Sequence, residues 1–197
     1  MNPLPKSFYT RDTVEVARDL LGKTLVRQEG KSQISGLIIE TEAYRGEEDL
    51  ACHCRAGRTP RTEIMYGPPG RAYVYLIYGM YWLLNIVTEE AGKPGAVLIR
   101  AVEPLEGIDI IAVRREGQAK KNWTDGPGKL SRALNIQGEL NGLNITSASG
   151  PLFIAPGKAV KQDAVQAGPR VGLGSVPEPW RSKAWRFMVN YQSWEEM

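Results

Sequence analysis

The spacing of apolar positions changes period along this chain, and each change predicts an element. Between residues 12 and 22, Val14, Ala17 and Leu21 fall on one face of a 3.6-residue helix and Leu20 widens it. Asp12 stands at the N-cap position with Glu15 three residues on to complete a capping box, and Gly22 supplies the stop. Gly22-Lys23-Thr24 resembles the end of a phosphate-binding loop. The position of that motif's first glycine is Ala17, however, and the segment closes a helix instead of opening one, so that reading is rejected.

The period then falls to two. Residues 24–27 and 34–44 read as strands across a turn at Glu29-Gly30-Lys31, and 73–77 and 83–87 as another pair. Tyr78-Gly79-Met80 lets the chain reverse between the latter two, giving a hairpin with Tyr78 near its tip. Residues 51–70 show no period and end in the turn signal Pro68-Pro69-Gly70. Residues 96–102 form a buried-type strand carrying a charge, Arg100, in its middle. Pro104-Leu105-Glu106 is expected to begin a helix running through Arg115, and Gly126-Pro127-Gly128-Lys129-Leu130 to lead into a short helix ending near Asn135. Beyond residue 137 the pattern mixes loops with short strands at 152–154 and 185–189. No repeat appears. The expected fold is α+β, a single domain over 1–197 with a mainly antiparallel sheet.

Composition narrows the class more than it names it. With 197 residues, 42% hydrophobic and 24% charged, the chain has the makings of one ordinary globular core. A net charge of +3 permits nucleic-acid binding without arguing for it. The clustering says more: Arg55, Arg58, Arg61 and Arg71 face a single acid, Glu63, within that stretch. Cys52 and Cys54, two residues apart, are poorly placed for a disulfide with each other. The longest strongly apolar stretch, around 81–87, is far too short to span a bilayer, so a reducing, cytoplasmic location is expected.

The candidate chemistry concentrates between residues 38 and 100. Along a strand, Glu40 and Glu42 share one face, with Thr41 and Ala43 opposite. An arbitrary Glu-x-Glu is most simply a solvated face. Arg100 tilts the balance, since an arginine in a buried strand needs a carboxylate partner, and a carboxylate and an arginine sharing a water make a hydrolytic pair. His53 lies between two cysteines, but no second Cys or His cluster completes a metal site, and no metal or cofactor is expected. Tyr73 and Tyr75 share a strand face with Ile77. Tyr78, at a turn where packing does not demand an aromatic, is a candidate wedge into a base stack. Asn85 interrupts Leu83-Leu84-Asn85-Ile86-Val87 and must find hydrogen-bond partners in backbone or ligand.

Several of these stretches together resemble one family. Ile39-Glu40-Thr41-Glu42-Ala43-Tyr44, Thr59-Pro60-Arg61, Tyr73-Val74-Tyr75-Leu76-Ile77-Tyr78-Gly79-Met80-Tyr81, Leu98-Ile99-Arg100-Ala101-Val102-Glu103-Pro104 and Gly126-Pro127-Gly128-Lys129-Leu130 are similar, in order, to the alkyladenine (3-methyladenine) DNA glycosylases. Arg170-Val171-Gly172 and Trp185-Arg186-Phe187 extend the likeness over most of the chain. The resemblance implies a compact α+β domain with a curved antiparallel sheet and a protruding hairpin. It implies Glu42 as general base and Arg100 as a holder of the attacking water. Tyr44, His53, Tyr75 and Asn85 would line the pocket for an extruded base, Tyr78 would fill the gap in the duplex, and Thr59, Met65, Met80, Tyr81 and Lys129 would lie near the DNA. The implied partner is double-stranded DNA with damaged purines, met by a monomer in a bacterial cytoplasm. Two other readings compete: a damage-binding protein that does not cut, which would not need Glu42 with Arg100, and a hydrolase of free nucleosides, which would leave the arginine loop and Tyr78 unexplained.

Overall fold

The structure, a computed structural model, describes residues 1–190. Its centre is β2 (Ser32–Arg45), a strand of 14 residues. β1 (Thr24–Glu29) folds back on it through a turn at Gly30, whose φ of 59° is one that glycine tolerates without strain. β3 (Ala72–Ile77), β4 (Tyr81–Val87) and β5 (Gly95–Glu106) run antiparallel in succession, and β5 pairs along its whole length with residues 35–45 of β2. With β6 (Leu152–Ala155) against β1, the sheet order is β3-β4-β5-β2-β1-β6. Because β2 outruns β1, its second half is free for β8 (Arg186–Met188), which pairs at Glu40, Thr41 and Glu42 and is itself edged by β7 (Gln166–Gly168). Bulges between Ile38 and Thr41 break the register with β5 where β8 joins, and bulges bend a strand at such points.

The helices are short. α1 (Lys6–Tyr9) precedes α2 (Thr13–Asp19), which the Asp12 carboxylate caps by accepting from the amides of Val14 and Glu15. α2 packs on the far face of β2, where the Thr41 hydroxyl donates to the Ala17 carbonyl at 2.7 Å. α3 (Ile108–Arg114) and α4 (Pro127–Ala133) complete that layer. The expected helix from Pro104 is corrected: residues 104–106 extend β5, with Gly36 opposite Pro104 and Ser35 opposite Glu106. The helix starts only after Gly107, whose φ of 70° turns the chain off the sheet.

Alternation divides every central strand between two environments. Thr41 and Ala43 of β2, Val74 of β3, Leu84 and Ile86 of β4, and Val97 and Ile99 of β5 are buried on the helix side. The opposite face of the same strands carries the site. The result is one domain of α+β type with an open, mainly antiparallel sheet; residues 191–197 of the expected domain lie outside the described part.

Candidate active site

The β3–β4 hairpin supplies the site wall by register. Tyr73 stands opposite Asn85, Tyr75 opposite Leu83 and Ile77 opposite Tyr81, and all six line a single cavity of about 570 Å³. Ala96, Leu98 and Arg100 of β5 and Tyr44 of β2 continue the same face, so the wall crosses four strands. That volume falls within the range of small-molecule pockets. Val171, Gly172 and Leu173 close one side, His53 and Met65 another, and Gly126 to Lys129 form part of the surround.

Glu42 lies behind this wall with 0% of its surface exposed. Its Oε2 accepts from the Tyr44 hydroxyl at 2.8 Å, and its Oε1 accepts from the Val171 amide at 2.7 Å. Arg100 Nη1 stands 3.4 Å from the same Oε1, while Arg100 Nε is fixed on Glu40 at 2.7 Å. Arg186 also holds Glu40, at 2.6 Å. The Glu-x-Glu face and the mid-strand arginine, separately suspicious in the sequence, are therefore one cluster of four charges. Burial pulls the Arg100 guanidinium down, but Glu42 and Glu40 outweigh it and raise its pKa. Burial, and then Glu42, push the Tyr44 phenol well above its ordinary value, so it stays a donor to the carboxylate.

His53, Tyr73 and Tyr75 cluster on the other wall, with His53 T-shaped to both tyrosine rings. His53 meets the Tyr75 ring at 4.7 Å between centroids and accepts or donates through Nδ1 to the Tyr73 hydroxyl at 2.9 Å. Burial first, then the charges of Arg61 and Arg55, pull its imidazole down to about 4, leaving it neutral at pH 7. Burial raises the Tyr75 phenol to about 12. Asn85 is buried and donates from Nδ2 to the Tyr73 carbonyl at 3.3 Å while lining the cavity, so its backbone partner fixes the amide that faces the pocket.

The remaining expected contacts fall in different places. Tyr78 and Met80 project from the hairpin tip, 83% and 65% exposed, and Tyr81 is also exposed beside them. Tyr78 and Gly79 both have positive φ, at 53° and 68°, as a tight hairpin turn requires. Met65 is not on that outer surface: it is 2% exposed and packs its sulfur 3.4 Å from Cys54 Sγ in the wall of the cavity. Thr59 is tied into its own loop by a 3.0 Å contact with the Thr62 hydroxyl and does not line the cavity. Lys129 sits in the first turn of α4 with its ammonium 3.0 Å from Asp125. Gly128 beside it leaves little room for a side chain, since a Cβ would stand 3.0 Å from the Tyr81 ring.

Sequence reasoning missed the support beneath Glu42. Asp49 and Arg170, both with fully buried side chains, form a two-pronged ion pair at 2.5 and 2.9 Å. The same guanidinium donates to the carbonyls of Ala43 and Trp180 and lies 4.7 Å from the Tyr44 ring centroid. It thus steadies the ring that holds one oxygen of Glu42 and precedes the amide that holds the other. In the sequence the two stand in aperiodic segments 121 residues apart, and the Arg170-Val171-Gly172 motif gives no sign that Asp49 is its partner.

Comparison with known proteins finds similarity to one family. The model of the family described as Methylpurine-DNA glycosylase (MPG) matches residues 7–193. A protein of Methanocella arvoryzae described as "Putative 3-methyladenine DNA glycosylase" is 51% identical over 186 residues, 92% of each chain. Proteins of the same description from Myxococcus xanthus and Legionella pneumophila are 46% and 43% identical, each over 96% of this chain and more than nine-tenths of their own length.

Proposed function

This chain belongs to the methylpurine-DNA glycosylase family, and on that footing we propose that it is a monofunctional DNA glycosylase of base excision repair. It draws an alkylated or deaminated purine (3-methyladenine, 7-methylguanine, hypoxanthine or ethenoadenine) out of duplex DNA and hydrolyses the N-glycosidic bond, leaving an abasic site. The observation that carries this reading is Glu42: a buried carboxylate held by Tyr44, Val171 and Arg100 at the back of a tyrosine-walled cavity.

A base inside a duplex is beyond the reach of such a cavity, so it must be extruded, at on the order of a few kcal/mol. Tyr78 at the exposed tip takes its place in the stack. Tyr44 and Tyr75 bracket the extruded base, and stacking of this kind contributes roughly 1–3 kcal/mol per base. Asn85 beside Tyr73 meets its edge. Glu42 takes a proton from a water whose oxygen attacks C1′ as the C1′–N bond breaks and its electron pair leaves with the base. Arg100, held on Glu40, keeps a donor directed at that water. General-base catalysis contributes about 10²–10⁴ in rate, and the charge of Glu42 also favours a positively charged sugar in the transition state. Water is the nucleophile in this scheme, with no lyase step: Lys129, on the cavity surround, engages Asp125 and is not placed as a free amine.

The test is single-turnover base release from duplexes carrying each lesion, with Glu42→Gln beside the wild type. We expect Glu42→Gln to keep lesion binding and to lose release by at least about a hundredfold. A wild type that binds lesions without releasing a base would make the chain a damage-recognition protein. Release from free nucleosides as fast as from duplex would make it a nucleoside hydrolase.

A further inference from the structure

Arg186 stands directly opposite Glu42 across the β2–β8 pair, yet its ion pair is with Glu40, the diagonal neighbour two residues along the same face. Arg100 reaches the same carboxylate from β5, on the other side of β2. It is the extra residue of a bulge: Ile99 faces Thr41 and Ala101 faces Glu40, so no residue of β2 stands opposite Arg100. One oxygen, Oε1 of Glu40, therefore receives two guanidiniums, Arg100 Nε at 2.7 Å and Arg186 Nε at 2.6 Å. Neither Glu40 nor Arg186 lines the cavity. Whatever they do for the reaction, they do through Arg100.

We propose that Arg186 is a positioning residue which, acting through Glu40, holds Arg100 off Glu42 and so keeps the general base open to water. The proposal rests on the glycosylase reading above and gives β8 a part in it.

A carboxylate offers about four lone-pair sites. On Glu42 the Val171 amide and the Tyr44 hydroxyl fill two of them. Arg100 Nη1, at 3.4 Å from Oε1, stands outside the range of about 2.7–2.9 Å at which a charged donor binds a carboxylate tightly. What keeps it there is the bond from Nε of the same guanidinium to Glu40. Arg186 in turn holds Glu40 inward, since its side chain is 28% exposed against 14% for Glu40 and its charge answers that of the carboxylate. Without Arg186 the Glu40 carboxylate is free to turn toward water, and Arg100 keeps one carboxylate within reach, Glu42. A guanidinium is a planar fork of donors that matches a carboxylate. Arg100 would then close on Glu42, fill its two remaining lone pairs and exclude the water that must give up its proton there.

The experiment measures single-turnover base release over a range of enzyme concentrations, on the duplex lesion that the wild type releases fastest. It compares wild type, Arg186→Leu, the near-isosteric Glu40→Gln and the double variant. Each single substitution is expected to slow the saturating rate by about ten- to a hundredfold, the cost of a misplaced group at the reacting centre, and to leave the half-saturating enzyme concentration unchanged. Because Arg186 acts through Glu40, the double variant should be no slower than Glu40→Gln alone. A double variant slower by the product of the two single effects would show that Arg186 acts independently of Glu40, and overturn the proposal. A raised half-saturating concentration with the saturating rate kept would make Arg186 a phosphate contact, and a smaller active fraction with an unchanged rate would make the pair structural. Either result overturns the proposal while the glycosylase reading stands. A wild type that releases no base from any of the lesions would overturn both.

Discussion

Tyr78 is badly suited to its fold and, on the proposed function, well suited to a task. A bulky side chain at a φ of 53° occupies a region that L-residues rarely adopt, and at 83% exposure it recovers almost nothing by packing. Strain of this kind persists at working sites. Tyr78→Gly is therefore expected to leave the melting temperature unchanged or slightly raised, while lesion binding falls roughly tenfold or more with the lost stacking. A drop in melting temperature with binding intact would assign the ring to packing. His53 gives a second residue-scale prediction. Its folded pKa, pulled to about 4 by burial and then by Arg61 and Arg55, lies below the 6.5 of an unperturbed imidazole. Between those values the unfolded chain takes up a proton that the folded chain refuses, so stability falls as the pH drops through that window. Denaturant titrations from pH 7 to 4 should show this slope in the wild type and not in His53→Gln. Glu42, Arg100 and Tyr78 were legible in the sequence because each is a polar or aromatic residue out of place in a periodic segment. Val171 was not, since what it contributes is a backbone amide and any residue has one.

Elements were legible wherever the period was clean. The Asp12 cap, the β1–β2 turn and the hairpin all stand where the alternation places them, and the failure at residues 104–106 has a physical reason. Pro104 reads equally as the first residue of a helix or as a strand position that donates no hydrogen bond, and long-range pairing with Gly36 and Ser35 decided for the strand. The irregular segments gave no signal for the Asp49–Arg170 pair that joins them. That pair links the end of β2 to the segment leading into β8, and a buried pair broken on one side typically costs about 3–5 kcal/mol. Arg170→Met should lose stability of that order in urea denaturation. Asp49→Asn should lose somewhat less, because it leaves the hydrogen bonds to the Ala43 and Trp180 carbonyls in place.

At the scale of the molecule, both flanks of the long sheet path are covered in part. The outer edge of β3 is met by residues 141–143, with Ala72 donating to the Leu143 carbonyl and Val74 to the Asn141 side chain. Leu4 donates to Ile154 on β6 at the other end. Covered edges remove the template on which sheets join between chains. Light scattering after gel filtration is therefore expected to give the mass of one chain, 21.8 kDa, and a dimer mass would locate an interface elsewhere.

The hairpin has one more property. Its base is pinned by residues 141–143 and its tip is not, and the same two strands carry both the pocket wall and the exposed Tyr78. Strand rise is about 3.3 Å per residue, so the three residues from Tyr75 to Tyr78 span roughly 10 Å. Adding one residue would turn the wall residues beyond it to the wrong face, and adding two would restore the face but carry the tip roughly 7 Å further from the pocket. On the proposed function, the length of this hairpin is what keeps the exposed tip in step with the tyrosine-walled pocket.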